Sequence, residues 1–132
     1  MIILDTHTLI WWAHTPNRLP PKVRQLIDRE RSLGGVFISS ISIWEFNLLV
    51  KSGRVNIKMD PESWAEEIEN LNGITFIPVD NQIAAKSVNL PGSFHSDPAD
   101  RIIVATAREN GATLITSDQK IRAYKEVQTI WD

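Results

Sequence analysis

A chain of 132 residues with a formal net charge of -2 and no cysteine is long enough for one domain with a real core, expected to span residues 1–132. It can hold neither a disulfide framework nor a thiolate zinc site, and its charge argues against coating nucleic acid by bulk electrostatics. Asp5 and His7 interrupt the apolar N-terminus, no basic leader precedes it, and no run approaches the ~20 apolar residues of a membrane span. A soluble, cytoplasmic protein is therefore expected.

The elements follow in chain order. Residues 1–5 read as a first strand that runs into Asp5. Thr6 and Thr8 can each cap the helix that follows, which leaves Asp5 without an obvious capping duty. On that helix Trp11 and Trp12 point ~100° apart and can hardly share one core stripe, so one of them is either a candidate partner contact or part of a half-buried helix edge. Leu26, Ile27 and Leu33 mark a second helix, and residues 35–39 a second strand. Ser42-Ile43-Trp44-Glu45 has the form of a capping box, although its acid is equally a candidate ligand. Asp60-Pro61 opens a helix over residues 60–72, with Trp64, Ile68 and Leu71 at helical spacing and Gly73 closing it. Residues 74–79 form a third strand, and Asp80 after it reads as an N-cap.

In Asp97-Pro98-Ala99-Asp100 the two acids take different roles. Asp97 is placed to cap, with an outer metal role as the alternative, while Asp100 sits one turn in, where the positive helix N-terminus keeps a carboxylate ionised. Ile102, Ile103, Ala105, Thr106 and Ala107 continue that helix. Residues 112–116 form a fourth strand running into Ser117 and Asp118, either of which can cap the next helix, and residues 127–131 a fifth. No repeat, low-complexity tract or linker divides the chain.

Strands alternating with helices imply an α/β fold of three layers, α/β/α, around a parallel sheet. Right-handed crossovers favour the order 3-2-1-4-5, with Asp5 and Asp118 side by side at the switch point where such sheets bind ligands. Asp80 is the control, because its strand lies two places from the first, about 9.6 Å at ~4.8 Å per strand. Asp5, Glu45, Asp100 and Asp118 are then expected to cluster, and clustered carboxylates repel unless a hard cation such as Mg²⁺ or Mn²⁺ lies among them. His7, His14 and His95 lack the i, i+4 spacing of helical zinc sites. If four of the sixteen acids gather around cations, the remaining surface is more basic than the total. The groups Lys51, Arg54, Lys58 and Lys120, Arg122, Lys125 could then meet phosphates or simply be solvated helix faces.

Together these blocks resemble the PIN-domain ribonucleases, and among them the VapC-type toxins of toxin–antitoxin pairs. The resemblance rests on Asp5-Thr6-His7, Ser42-x-x-Glu45, His95-x-Asp97-Pro98-x-Asp100-Arg101 and Thr116-Ser117-Asp118, in that order over nearly the whole chain. It implies an endoribonuclease whose Mg²⁺ or Mn²⁺ ligands are Asp5, Glu45, Asp100 and Asp118, usually dimeric and held inactive by a cognate antitoxin. Asp5 and Asp100 are assigned to the principal ion, with Glu45 and Asp118 completing its shell through waters or a second ion ~3.5–4 Å away. Asp97, Thr6, Ser42 and Thr116 are supporting or capping residues. Arg101 and His95 are candidates for substrate contact, Arg101 on the scissile phosphate or in a surface salt bridge, and His95 on substrate or metal-bound water or else a loop histidine without a catalytic role. Departures at Phe46, Asn47 and Ala99 concern groove shape or packing and leave the RNA target open.

Three rival readings are weaker. A phosphoacceptor receiver domain needs a second acid where Thr6 stands and a lysine after the last strand, where the chain ends in Trp131-Asp132. A haloacid-dehalogenase-like phosphatase needs an aspartate where His7 stands. A PIN domain that binds RNA or a protein without cleaving it has no use for a full set of acids.

Overall fold

The computed structural model describes residues 1–132. Its central strand, β1 (Ile2–Leu4), is three buried aliphatic residues in a row, as expected of a strand covered on both faces. β1 pairs in parallel with β2 (Val36–Ser39) on one side and β4 (Thr113–Ile115) on the other. β3 (Ile74–Ile77) lies outside β2 and β5 (Thr129–Ile130) outside β4, again in parallel. The order β3-β2-β1-β4-β5 is the one expected from the sequence, and it makes the carboxyl ends of β1 and β4 neighbours.

Seven helices connect the strands: α1 (Thr6–His14), α2 (Pro21–Ser32), α3 (Ile41–Lys51), α4 (Pro61–Glu69), α5 (Asn81–Val88), α6 (Pro98–Glu109) and α7 (Gln119–Arg122). A 3₁₀ turn at Pro16–Arg18 follows α1. Because side chains alternate across a strand, Ile2 and Leu4 enter one apolar layer, with Leu9, Val23, Ile27, Phe46 and Trp64 of the first four helices. Ile3 enters the opposite layer with Ile83, Ile103, Leu114 and Ile121. On the first side the rings of Phe46 and Trp64 stack with centroids 3.7 Å apart, so Phe46 is a packing residue. Ala99 is buried as well, and Asn47 turns back to donate to the Ile43 carbonyl.

Of the two readings of Trp11 and Trp12, the outward partner contact is corrected and the half-buried helix edge holds. Both are half-buried against the margin of the first apolar layer, Trp11 beside Trp131 and Trp12 beneath the guanidinium of Arg31, 5.1 Å from its ring centre. Arginine stacked on an indole can cover such a helix edge without burying it fully. The exposed tryptophan is Trp44 on α3, 52% accessible, one turn before Leu48 at 46%.

Asp60 and Asp80 cap as expected, accepting from Ser63 N at 3.1 Å and Ile83 N at 2.8 Å. Gly73 closes the approach to β3 for a steric reason. Its φ is +82°, and a Cβ there would stand 2.1 Å from the Arg31 carbonyl oxygen. Gly53, at φ +80°, has open space around the same position. Gly73→Ala is therefore expected to cost well over ~2 kcal/mol, and Gly53→Ala only the ~1 kcal/mol of a left-handed backbone. Denaturant melts of the two variants check this, and equal losses would contradict the clash.

Candidate metal centre and cleft

Asp5 leaves β1 with extended backbone and becomes the N-cap of α1. Its Oδ1 accepts from the Thr8 backbone N–H at 2.9 Å, and its Oδ2 accepts from the Thr116 hydroxyl. The sequence reading, which gave the cap to Thr6 or Thr8, is thus corrected: both lie inside the helix and are used elsewhere. Thr8 Oγ1 donates to the Ile115 carbonyl at 3.0 Å, tying α1 to the end of β4. Thr6 Oγ1 donates to Ser42 Oγ at 2.9 Å.

Ser42 is likewise not a capping residue. It is buried within α3, whose N-cap is Ser40, and Ser40 makes no side-chain capping bond. The capping-box form at Ser42 is therefore coincidental. Glu45, which such a box would have bent back toward the helix start, lines the cleft instead.

At β4 the Thr116 hydroxyl serves two neighbours, donating to Asp5 Oδ2 and accepting from the Asp118 backbone N–H at 3.0 Å. Asp118, rather than Ser117, caps α7, its Oδ1 accepting from Lys120 N at 2.9 Å and Ile121 N at 3.1 Å. Asp97 caps α6 as expected, accepting from Asp100 N at 2.9 Å. Asp100 sits in the first turn of that helix.

Five carboxylates, Asp5, Glu45, Asp97, Asp100 and Asp118, line one cleft of about 770 Å³. Burial and mutual repulsion shift several of them upward. Desolvation raises Asp5 most, while bonds from Thr116 and Thr8 oppose it. Glu45 is raised by desolvation and by the charges of Asp97 and Asp5, against a lowering contribution from the Thr6 hydroxyl. Asp100 is pushed up to about 7, first by desolvation and then by Asp97, Asp118, Glu45 and Asp5. Asp80, the control, lies outside the cleft.

The tightest group of donor atoms is not the one expected from sequence. His95, Asp100 and Asp118 offer ligand atoms all within 4.8 Å of one another. His95 Nε2 lies 3.2 Å from Asp100 Oδ2, buried and out of line for a hydrogen bond. Arg101 is turned away. Its guanidinium donates to the carbonyls of Ser87, Val88, Phe94 and His95, which leaves no fork for a phosphate and no salt bridge. Its work is to pin the loop before α6 onto the end of α5.

His7, His14, Arg18 and Arg54 line the same cleft. Arg18 escaped sequence reasoning because only the 3₁₀ turn folds it back, with its guanidinium 4.6 Å from the Trp11 ring centre. No spacing rule announces such a return. Arg54 was visible as part of a basic group, without a sign of where it would face.

A family model described as PIN domain matches residues 2–127. The chain is 33% identical to Ribonuclease VapC22 of Mycobacterium tuberculosis, with 98% of each chain covered. Its fold is similar to that of a solved VapBC2 from Rickettsia felis, described as bound to a DNA fragment from its promoter. There the TM-score is 0.72 at 18% identity, over 100% of both chains. It is also similar to a chain of a toxin–antitoxin complex from Klebsiella pneumoniae, with a TM-score of 0.66 at 20% identity, over 96% of this chain and 95% of that one. The chain therefore belongs to the PIN-domain family, on its VapC branch.

Proposed function

We propose that this chain is a divalent-cation-dependent endoribonuclease, the toxin of a toxin–antitoxin pair, working at the cleft that Asp5, Glu45, Asp100 and Asp118 line. The observation that carries the reading is the convergence of these acids on one cleft, with Asp100 driven to about 7 by burial and by its four neighbours. A fold does not maintain such repulsion without compensation, and a hard divalent cation supplies it. The donors fit that ion: carboxylate oxygens dominate, and no thiolate is present. Mg²⁺ or Mn²⁺ is the cation we assign. His95, with one nitrogen 3.2 Å from Asp100 Oδ2, suits Mn²⁺ better than Mg²⁺.

When bound, such a cation offsets charge on the phosphodiester and makes the attacking water more acidic. The chain supplies the rest. Asp5 and Asp100 hold the principal ion, and Glu45 and Asp118 complete the set. Thr116 and Thr8 fix both oxygens of Asp5, so its carboxylate is oriented before any ligand arrives. Glu45, held to the ion through water, is the group we assign to accept that water's proton, since burial makes its carboxylate more basic. Arg18 and Arg54, in the same cleft, are placed to meet phosphates of the RNA beyond the cut.

The Klebsiella relative was solved as a toxin–antitoxin complex, and we extend that arrangement to this chain, with a cognate antitoxin as protein partner. We further propose a homodimer acting in the cytoplasm. Trp44 and Leu48, exposed one turn apart on α3, offer apolar surface that a protein partner could cover. No helix is long and apolar enough to cross a membrane.

Two outcomes are expected. Asp5→Asn keeps an N-cap and should leave the fold intact while lowering Mg²⁺- or Mn²⁺-dependent RNA cleavage by about 100-fold or more. Asp97→Ser also keeps its cap, at a cost under ~1 kcal/mol, and should still cleave, whereas Asp100→Ser should not. Full activity in Asp5→Asn would falsify the assignment.

The second outcome concerns pH. Asp100 keeps its proton to about pH 7 when folded but loses it near 3.8 when unfolded. Between those values the folded chain holds more protons, so its stability falls as pH rises through that window. In EDTA, melting temperature should therefore drop from about pH 5 to about pH 7.5, and Asp100→Asn should flatten that drop. A wild-type profile identical to that of the variant would contradict the raised value.

A further inference from the structure

The geometry points to a second RNA subsite beside the carboxylate centre. It is a hollow of about 480 Å³ walled by Phe94, His95, Lys120, Tyr124 and Lys125 that takes an unpaired nucleotide flanking the scissile phosphate. The inference rests on the ribonuclease reading above and extends it to how the substrate strand is held.

Position is the first argument. His95 walls the hollow, while its Nε2 stands 3.2 Å from Asp100 Oδ2. On the other side Asp118 lines the catalytic cleft and begins α7, and Lys120, two residues on, walls the hollow. His95 thus borders the hollow and meets Asp100 of the catalytic cleft, which places the two cavities side by side at that side chain.

Chemistry is the second. Lys120 and Lys125 are exposed, and neither joins an ion pair. The nearby Arg122 is committed to Asp132 at 2.6 Å. Glu126, the one acid in the lining, lies 3.6 Å from Arg108. Two uncommitted cations beside an anion-cutting centre are suited to the phosphates on either side of a nucleotide, one each. Phe94 is half-buried, with its ring centre 4.7 Å from that of Tyr124 and 4.4 Å from that of His95. A base stacks on such a wall irrespective of sequence, provided it is unpaired, which selects single-stranded RNA.

Rigidity is the third. The Tyr124 hydroxyl donates to the Pro91 carbonyl, and Arg101 holds the carbonyls of Phe94 and His95 at 3.0 and 3.1 Å. The aromatic wall is therefore set before RNA arrives, which limits the ordering cost of binding. Arg101 acts here as a positioning residue.

The test is equilibrium binding of a labelled single-stranded RNA oligonucleotide to the full chain at low salt in EDTA, where cleavage does not interfere. Lys120→Gln with Lys125→Gln should weaken binding about tenfold, and the slope of log affinity against log salt should become shallower by about 1.4, at ~0.7 per lost phosphate contact. Lys22→Gln with Lys86→Gln removes the same charge outside both cavities and should change the affinity by less than about twofold while leaving the salt slope in place. Phe94→Leu should weaken binding of the RNA but not of an abasic sugar–phosphate strand of equal length. If the two lysine pairs behave alike, or the wild-type chain binds no RNA, the subsite is refuted. Absence of Mn²⁺-dependent cleavage by a chain that passes this binding test would instead count against the ribonuclease reading alone.

Discussion

The carboxylate of Asp5, buried to 7% exposure at the end of the central strand, is the constraint around which the rest of the structure is arranged. Removing a carboxylate from water costs on the order of several kcal/mol unless donors meet it. Here the Thr8 backbone N–H takes one oxygen and the Thr116 hydroxyl the other. The second bond exists only because β4 lies directly beside β1. The same hydroxyl accepts from Asp118 N, so the position of a second acid depends on the first through one shared oxygen. Strand order, helix capping and site geometry are thus one problem with one solution.

Electrostatics then separates this cluster from the ordinary capping aspartates of the fold. Asp60 and Asp80 cap helices just as Asp5, Asp97 and Asp118 do, yet they stand apart from one another and from the cleft. What distinguishes the cleft is that three caps converge on it together with Glu45 and Asp100. Capping supplies local stability and orientation. Convergence supplies the charge density that suits a divalent cation and, through it, a phosphodiester.

Much of this was legible in the residues themselves. Short aliphatic runs ending in acids gave the parallel sheet and its switch point, and Asp80 could be set aside because its strand sits two places from the centre. Other features were hidden for definable reasons. Ser42 has the spacing of a capping box, but the helix starts two residues earlier than such a box requires, with Ser40 as its N-cap, and the hydroxyl is taken by Thr6, a partner 36 residues away in sequence. Arg101 stands next to an acid, yet four carbonyls, two at the end of α5 and two in the loop before α6, claim it. Trp11 and Trp12 do point apart, as helical geometry requires, but each finds a flank of the same apolar layer with an arginine over its ring. Hydrogen-bond competition and long-range return of the chain decide all three, and neither has a local signature.

The proposed chemistry depends on the acids being assembled to hold a divalent cation. Calorimetric titration of Mn²⁺ into the full chain at about pH 7, in buffers of different ionisation enthalpy, tests that most directly. With Asp100 near half-protonated at that pH, binding should release protons, so the measured heat should depend on the buffer. Asp100→Asn should remove most of that dependence. Failure of the wild-type chain to bind Mn²⁺, or binding whose heat is the same in every buffer, would contradict the account.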